Sequence, residues 1–316
     1  SNMSIKFKSV VFVPAVLMLF MSSASAAGTC QRNSDGAVIT DADANTGDPI
    51  ELLSAAGEGM TDSCGAIPDE YHVTFYKLGI CTDDPSGNDL STCQFMLNSN
   101  AVNGVPHTIS YPTESALATG DFEIAAGTYG YMVAILSNKL GIKHTEVFSE
   151  ALRGSSSSQG TSCWTNGMQT SLSGVSYTHN VHGVIDLENV NNPALTCGTA
   201  ANAAPVVSYE VIDDFSNQED CSAFGADASS INLPNGVGSG KLLQSDGATV
   251  ATSCNNASRI LWTINLTTDL VVTESTDFTL SFKLTDAVSV DAASSASVGY
   301  ATKMGADPFQ AILTTR

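Results

Sequence analysis

Basic residues are scarce in this 316-residue chain: 12 Lys and Arg stand against 32 Asp and Glu, for a formal charge of −20. Nucleic acids and anionic membrane surfaces require a basic footprint, so neither is an expected partner. Charged residues of both signs make up only 14% of the chain. The polar positions are filled by Ser, Thr, Asn and Gly instead, which suits a hydroxyl-bearing β surface better than long charged helices. No C-x-x-C occurs to hold zinc, and no G-x-S-x-G sets a nucleophile beside a histidine. Local support for a metal hydrolase or a serine triad is therefore absent, and no cofactor is expected beyond a calcium ion.

What is present begins with a leader. Lys6 and Lys8 precede an apolar run over residues 10–21, and Ala24-Ser25-Ala26 supplies the small residues that signal peptidase needs. The run falls short of the ~20 apolar residues that span a bilayer, so no membrane span is expected after cleavage. Residues 1–26 are read as Ser1-Asn2, which carry no fold information, followed by a cleaved signal peptide, with the mature chain starting near Ala27. Cys30 follows Thr29 and does not stand at the cleavage point, which argues against a lipoprotein. All eight cysteines (Cys30, Cys64, Cys81, Cys93, Cys163, Cys197, Cys221 and Cys254) lie after the leader. Pairing is the default in an oxidising compartment, and the expected location is extracellular or periplasmic.

The small-residue stretch Gly198-Thr-Ala-Ala-Asn-Ala-Ala-Pro205 reads as a linker. It divides the chain into a first domain at 27–198, a linker at 199–205 and a second domain at 206–316. Six cysteines fall before the boundary and two after it, so Cys221–Cys254 is the safest pairing and Cys81–Cys93 the next. Period-2 alternation dominates: Ile260, Trp262, Ile264 and Leu266 share one face, Phe278 to Leu284 carries apolar residues at every even position, and Tyr129, Tyr131, Val133 and Ile135 alternate. One short helix is predicted over residues 49–56, with Asp48 as cap and Pro49 in its first turn. The serine run within 154–162 is predicted as a surface loop. The expected fold class is all-β, with two antiparallel β-sandwich domains stapled by disulfides. The second, opening on Val211-Ile-Asp-Asp-Phe215 and carrying the Trp262 and Phe278 strands, resembles the jelly-roll, galactose-binding-like modules of secreted proteins; that resemblance implies a fold and no activity. The strand-like run 309–314 closes the chain, so it marks either an edge strand or a truncated module.

Asp41, Asp43, Asn45 and Asp48 place oxygen side chains at calcium-loop spacing. The pattern departs from an EF-hand where Thr46 replaces the glycine and Leu52 the closing glutamate, and a solvated turn with Asx-type hydrogen bonds is the competing reading. The acidic run Asp83, Asp84, Asn88 and Asp89, enclosed by Cys81 and Cys93, is a second candidate calcium or ligand loop, and Asp213-Asp214 a third. Tyr129, Tyr131 and Trp164 are candidate rings for stacking sugars, against the commoner role of filling a core. His179 and His182, three apart on a strand, face opposite sides and so make a poor metal pair. His72, His107 and His144 stand isolated in sequence. The run Gly236-Val-Gly-Ser-Gly-Lys241 has Asn235 where a phosphate loop needs glycine, and reads as a hairpin. Asn256 and Asn265 lie in glycosylation-type triplets.

The function expected from these features is a secreted or cell-surface structural or adhesive protein without catalytic activity, whose partners are further copies of itself or a surface polysaccharide. A carbohydrate-binding protein with calcium-ordered loops is the alternative. A glycan hydrolase using two carboxylates among Glu123, Glu146, Glu150 and Glu188 is the second alternative.

Overall fold

The computed structural model describes residues 5–9, 28–41, 51–53, 60–61, 63–100, 102–110, 117, 121–154, 158–171, 195–216, 221, 223–233, 235–295, 299–307 and 309–315. In chain order the strands are β1 (Ile5–Ser9), β2 (Thr40–Asp41), β3 (Glu51–Leu53), β4 (Met60–Thr61), β5 (Ser63–Ala66), β6 (Glu70–Cys81), β7 (Cys93–Asn98) and β8 (Val105–Ser110). Then come β9 (Gly127–Ser137), β10 (Lys139–Lys143), β11 (Thr145–Arg153), β12 (Gln159–Thr165), β13 (Gln169–Ser171), β14 (Leu195–Gly198) and β15 (Ser208–Val211). The last are β16 (Ile231–Leu233), β17 (Gly236–Leu243), β18 (Arg259–Val272), β19 (Phe278–Lys283), β20 (Val288–Ser295), β21 (Gly299–Ala306) and β22 (Gln310–Thr315). The fold is all-β and sandwich-like, as the alternation predicts.

Alternation translates directly into two-sided burial. In β18, Ile260, Trp262 and Ile264 enter the main core while Leu261 enters a smaller cluster on the opposite face. In β19, Phe278, Leu280 and Phe282 are buried and alternate with half-buried Thr279, Ser281 and Lys283. Phe75 on β6 meets Phe282 and Phe309 at ring separations of 6.0 and 6.4 Å, which joins the largest sheet to the sheet of β19.

Residues 199–205 do not separate two domains. The ten-stranded sheet runs β13-β15-β10-β6-β9-β18-β17-β16, with β7 and β8 also on β6, and the six-stranded sheet runs β14-β12-β11-β21-β20-β5. Both contain strands from either side of the expected linker: β9 pairs β18 and β10 pairs β15 in one, while β20 pairs β5 in the other. The small residues make a 3-10 turn, Ala200–Asn202, that carries the chain from β14 in one sheet to β15 in the other. Asn138 fixes the interleaving. Buried between β9 and β10, it donates from Nδ2 to the carbonyls of Ile212 and Ala257, and its own carbonyl accepts from the Ile212 amide. A buried amide satisfied this way breaks one continuous edge into two, so that β18 pairs before it and β15 after it.

Two further local expectations are corrected, and the edge position expected of the closing run is met. Within the predicted helix 49–56, the described residues Glu51–Leu53 form a strand laddered on both sides, with Leu52 opposite Thr40 and Thr61. A helix that short lacks the length to nucleate, and flanking strands satisfy the same backbone groups. Of the loop predicted over 154–162, residues 155–157 lie outside the described residues and 159–162 are strand, with Arg153 paired to Gln159 and the Gly154 N–H on the Ser158 carbonyl. The closing run forms β22 at the edge of a three-stranded sheet, β1-β19-β22, whose other edge is Ile5–Ser9 of the expected leader, parallel to β19.

All eight cysteines are paired, as Cys30–Cys64, Cys81–Cys93, Cys163–Cys197 and Cys221–Cys254. Both pairings expected from the sequence are among them. Four disulfides fit an oxidising compartment outside the cytosol. Among the described residues no helix is long and apolar enough to cross a membrane.

Candidate functional site

A polar cleft of about 500 Å³ opens on the outer face of the ten-stranded sheet. Its floor is the outward side of β17 and β18: Ser239 and Lys241 on one strand, Thr263 and Asn265 on the other, directly paired as Ser239 with Thr263 and Val237 with Asn265. The Ser239 and Thr263 hydroxyls share a 2.6 Å hydrogen bond. Gly236, Gly238 and Gly240 take three inward positions of β17, and at Gly236, with φ +155°, a Cβ would collide with the Asn265 carbonyl. Only glycine lets the two strands close here.

Two walls rise from that floor. One is Asp84, Ser86 and Gly87 of the loop between β6 and β7, which Cys81–Cys93 pins at its base. Asx turns shape it: the Ser86 amide bonds Asp84 Oδ1 at 2.9 Å and the Ser91 amide bonds Asp89 Oδ1 at 3.0 Å. The Ser91 hydroxyl and amide hold the Asp89 carboxyl below its ordinary range, and Asn88 Nδ2 ties the tip to the Ala248 carbonyl. The other wall is Asp227, Ala228 and Ser230, held by the Ala228 amide on the Gly240 carbonyl and by Lys241 Nζ on the Asp227 carboxylate. The Asp227 side chain remains 70% exposed. Carboxylates, hydroxyls and amides thus converge on one preformed hollow without an aromatic ring in its lining.

Of the residues singled out in the sequence, Asp84 lies in this cleft. The strand holding Ser239 and Lys241 is the glycine run read as a hairpin turn; it is instead β17 itself, laddered between β16 and β18. Its cleft-facing residues carried no signal, because polar alternation on an outer strand face looks like ordinary solvated surface. Asn265 of the second glycosylation-type triplet is at the cleft floor, whereas the Asn256 amide is used to cap the Cys254–Asn256 turn.

The three candidate stacking rings are not presented together. Tyr129 is buried, its hydroxyl donating to the Ala125 carbonyl and accepting from Gln94 Nε2. Tyr131 packs with the opposite face's cluster. The shared face expected for the pair is lost where β18 bulges, Asn265 facing Tyr131 but Leu270 facing Tyr129. Trp164 is buried over Gly198, beside Cys163–Cys197.

Among the calcium candidates, Asp41 forms the end of β2 opposite Glu51, and Asp43, Asn45 and Asp48 lie outside the described residues. His179, His182 and Glu188 lie outside them as well. Glu123 and Glu150 are exposed. Asp214 lies near Cys221 and Cys254, but those sulfurs are bonded to each other and offer no thiolate to a metal; its carboxylate instead accepts from the amides of Ser216 and Gly225.

Glu146 is a structural anchor. Its carboxylate, 2% exposed, takes a bidentate grip from Arg32 at 2.5 and 2.9 Å and meets His144 Nε2 at 3.1 Å. Burial pushes its carboxyl up, yet the His144 and Arg32 contacts outweigh that and hold it below the ordinary range. His144, isolated in sequence, thereby joins an array running from Asp69 through Glu146 to Arg32 that straps residues 28–41 onto β11. Comparison with protein-family models, with curated proteins and with solved structures finds no match to the chain.

Proposed function

We propose that this is a secreted surface protein of adhesive role, which holds a polyhydroxylated ligand, a segment of a glycan chain, in the cleft over β17 and β18. The observation that carries the reading is the lining itself. Asp84, Asp227, Ser230, Ser239, Thr263 and Asn265 offer convergent hydrogen-bonding groups of the kinds that pair with sugar hydroxyls, on walls already fixed by a disulfide and by backbone ladders. A cleft of this size lies within the ~300–1,000 Å³ range of small-molecule sites. Its acidity disfavours anionic polysaccharides, so a neutral glycan is the better fit. Without a stacking ring each contact is weak, and retention on a polymer depends on many copies engaging at once. Export rests on the leader ending near Ala26 together with the four disulfides.

The test is binding of the oxidised, leader-free protein to immobilised neutral and anionic polysaccharides. Retention on a neutral glycan is expected, falling at least about tenfold in a variant carrying both Asp84→Ala and Thr263→Val, because each lost polar contact costs about 1 kcal/mol. Equal retention of that variant, with an unchanged circular dichroism spectrum, rejects the cleft as the binding site.

A further inference from the structure

A lysine, an aspartate and a glutamate meet between the two large sheets, away from the cleft. Asp291 on β20 and Lys303 on β21 are direct cross-strand partners. The Lys303 ammonium stands 3.4 Å from Asp291 Oδ2, with the two side chains only 9% and 16% exposed. The Ser289 hydroxyl, two residues back on the same face, reaches both Asp291 oxygens at 3.2 and 3.1 Å. Opposite Ser289 on β21 is Gly305, and its missing side chain makes room for the Glu210 carboxyl: a Cβ there would lie 2.6 Å from Glu210 Oε2. Glu210 therefore reaches from β15 across the inter-sheet gap onto the ladder face that bears Asp291 and Lys303. It is buried, and both of those charges act on it, as do Asp307 and Asp213.

We propose that Lys303 and Asp291 condense into an intramolecular amide, with Glu210 carrying the protons. The step begins when the Lys303 ammonium passes one proton across its 3.4 Å contact to Asp291 Oδ2, which frees the Nζ lone pair and gives the carboxyl a hydroxyl that can leave. The Lys303 Nζ lone pair attacks Cγ of Asp291, forming the N–C bond while the carbonyl electron pair moves onto oxygen, which accepts a hydrogen bond from protonated Glu210. A proton leaves the nitrogen through the Glu210 carboxyl and joins the departing hydroxyl, and the C–O bond breaks to release water. One ammonium and one carboxylate give one amide and one water, Glu210 ends as it began, and no oxidant or external reagent enters. Fixed proximity supplies the driving advantage, as it does for other preoriented intramolecular condensations.

Burial supports the assignment of Glu210, because its carboxyl is pushed up to about 7 and so keeps its proton at pH values below that, where an ordinary carboxyl has lost it. The link would lock β20 to β21 within the six-stranded sheet, adding a redox-insensitive staple to four reducible ones. The inference stands apart from the cleft reading and survives its failure.

Mass spectrometry of the full chain decides it. After the folded, oxidised protein is denatured and its disulfides fully reduced, its mass is expected to be lower than the sequence mass by one water. Tryptic digestion should yield a branched peptide joining the segments that contain Asp291 and Lys303, with no cleavage after Lys303. Lys303→Arg and Glu210→Gln should each restore the full mass. Full mass in wild-type protein whose native circular dichroism is intact overturns the proposal, as does a water loss mapped to other residues. A link that persists in Glu210→Gln overturns the role given to Glu210.

Discussion

Replacing Phe75 with alanine is expected to lower the free energy of unfolding by about 3–5 kcal/mol, the range for deleting a large ring from a core that cannot collapse around the gap. Phe75 is 1% exposed and is ringed by His107, Phe282 and Phe309, which come from three separate segments. Little of that wall is free to move inward, because Phe282 lies in β19, which is paired to β22 along its whole length. Since strands from both halves share both large sheets, the loss should appear as a shift of one transition in urea or heat and not as early melting of an N-terminal module. Two separate transitions, with only the first displaced, would restore the two-domain division that the sheet pairing contradicts.

The second large effect concerns pH. Burial pushes the Glu210 carboxyl up to about 7, with Lys303 opposing and Asp291 and Asp213 adding to it. Between the ordinary carboxylate value and about 7, the folded state keeps a proton that the unfolded chain has released. Stability contributed by this group is therefore full at low pH and declines as pH rises through that window, by roughly 3 kcal/mol in total. Asp307, raised by burial and by Glu210, works in the same direction, whereas Glu146, held low despite its burial, loses its contribution as pH falls. Urea unfolding from pH 5 to pH 8 in Lys303→Arg, with and without Glu210→Gln, isolates the contribution because neither protein can form the amide: the decline should be steeper by about that amount where Glu210 is present. Parallel curves would show that Glu210 titrates normally.

Strands and staples were legible in the sequence for a physical reason. A half-buried strand has to alternate, so Ile260, Trp262, Ile264 and the even positions of 278–284 announce their own faces. The Cys81–Cys93 pairing followed from chain proximity and Cys221–Cys254 from the boundary placed at 199–205, and both are present. Strand partners are another matter, because the pairing of β9 with β18 joins residues more than a hundred positions apart and leaves no local mark. Without it the boundary at 199–205 looked like a linker, and Tyr129 and Tyr131 looked like one face. The cleft was hidden for the same reason. Ser239 and Thr263 are unremarkable hydroxyls until the ladder sets them opposite each other beneath the loop that carries Asp84. Asp291, Lys303 and Glu210 likewise meet only through strand register and inter-sheet packing.

Amide hydrogen exchange of the mature protein, with and without a neutral polysaccharide that retains it, tests the cleft most directly. Binding there should slow exchange at residues 84–87, 227–230, 237–241 and 263–265 and leave the opposite, six-stranded sheet unchanged. Protection confined to residues 41–48 or to the six-stranded sheet, with the cleft residues unaffected, would contradict the account.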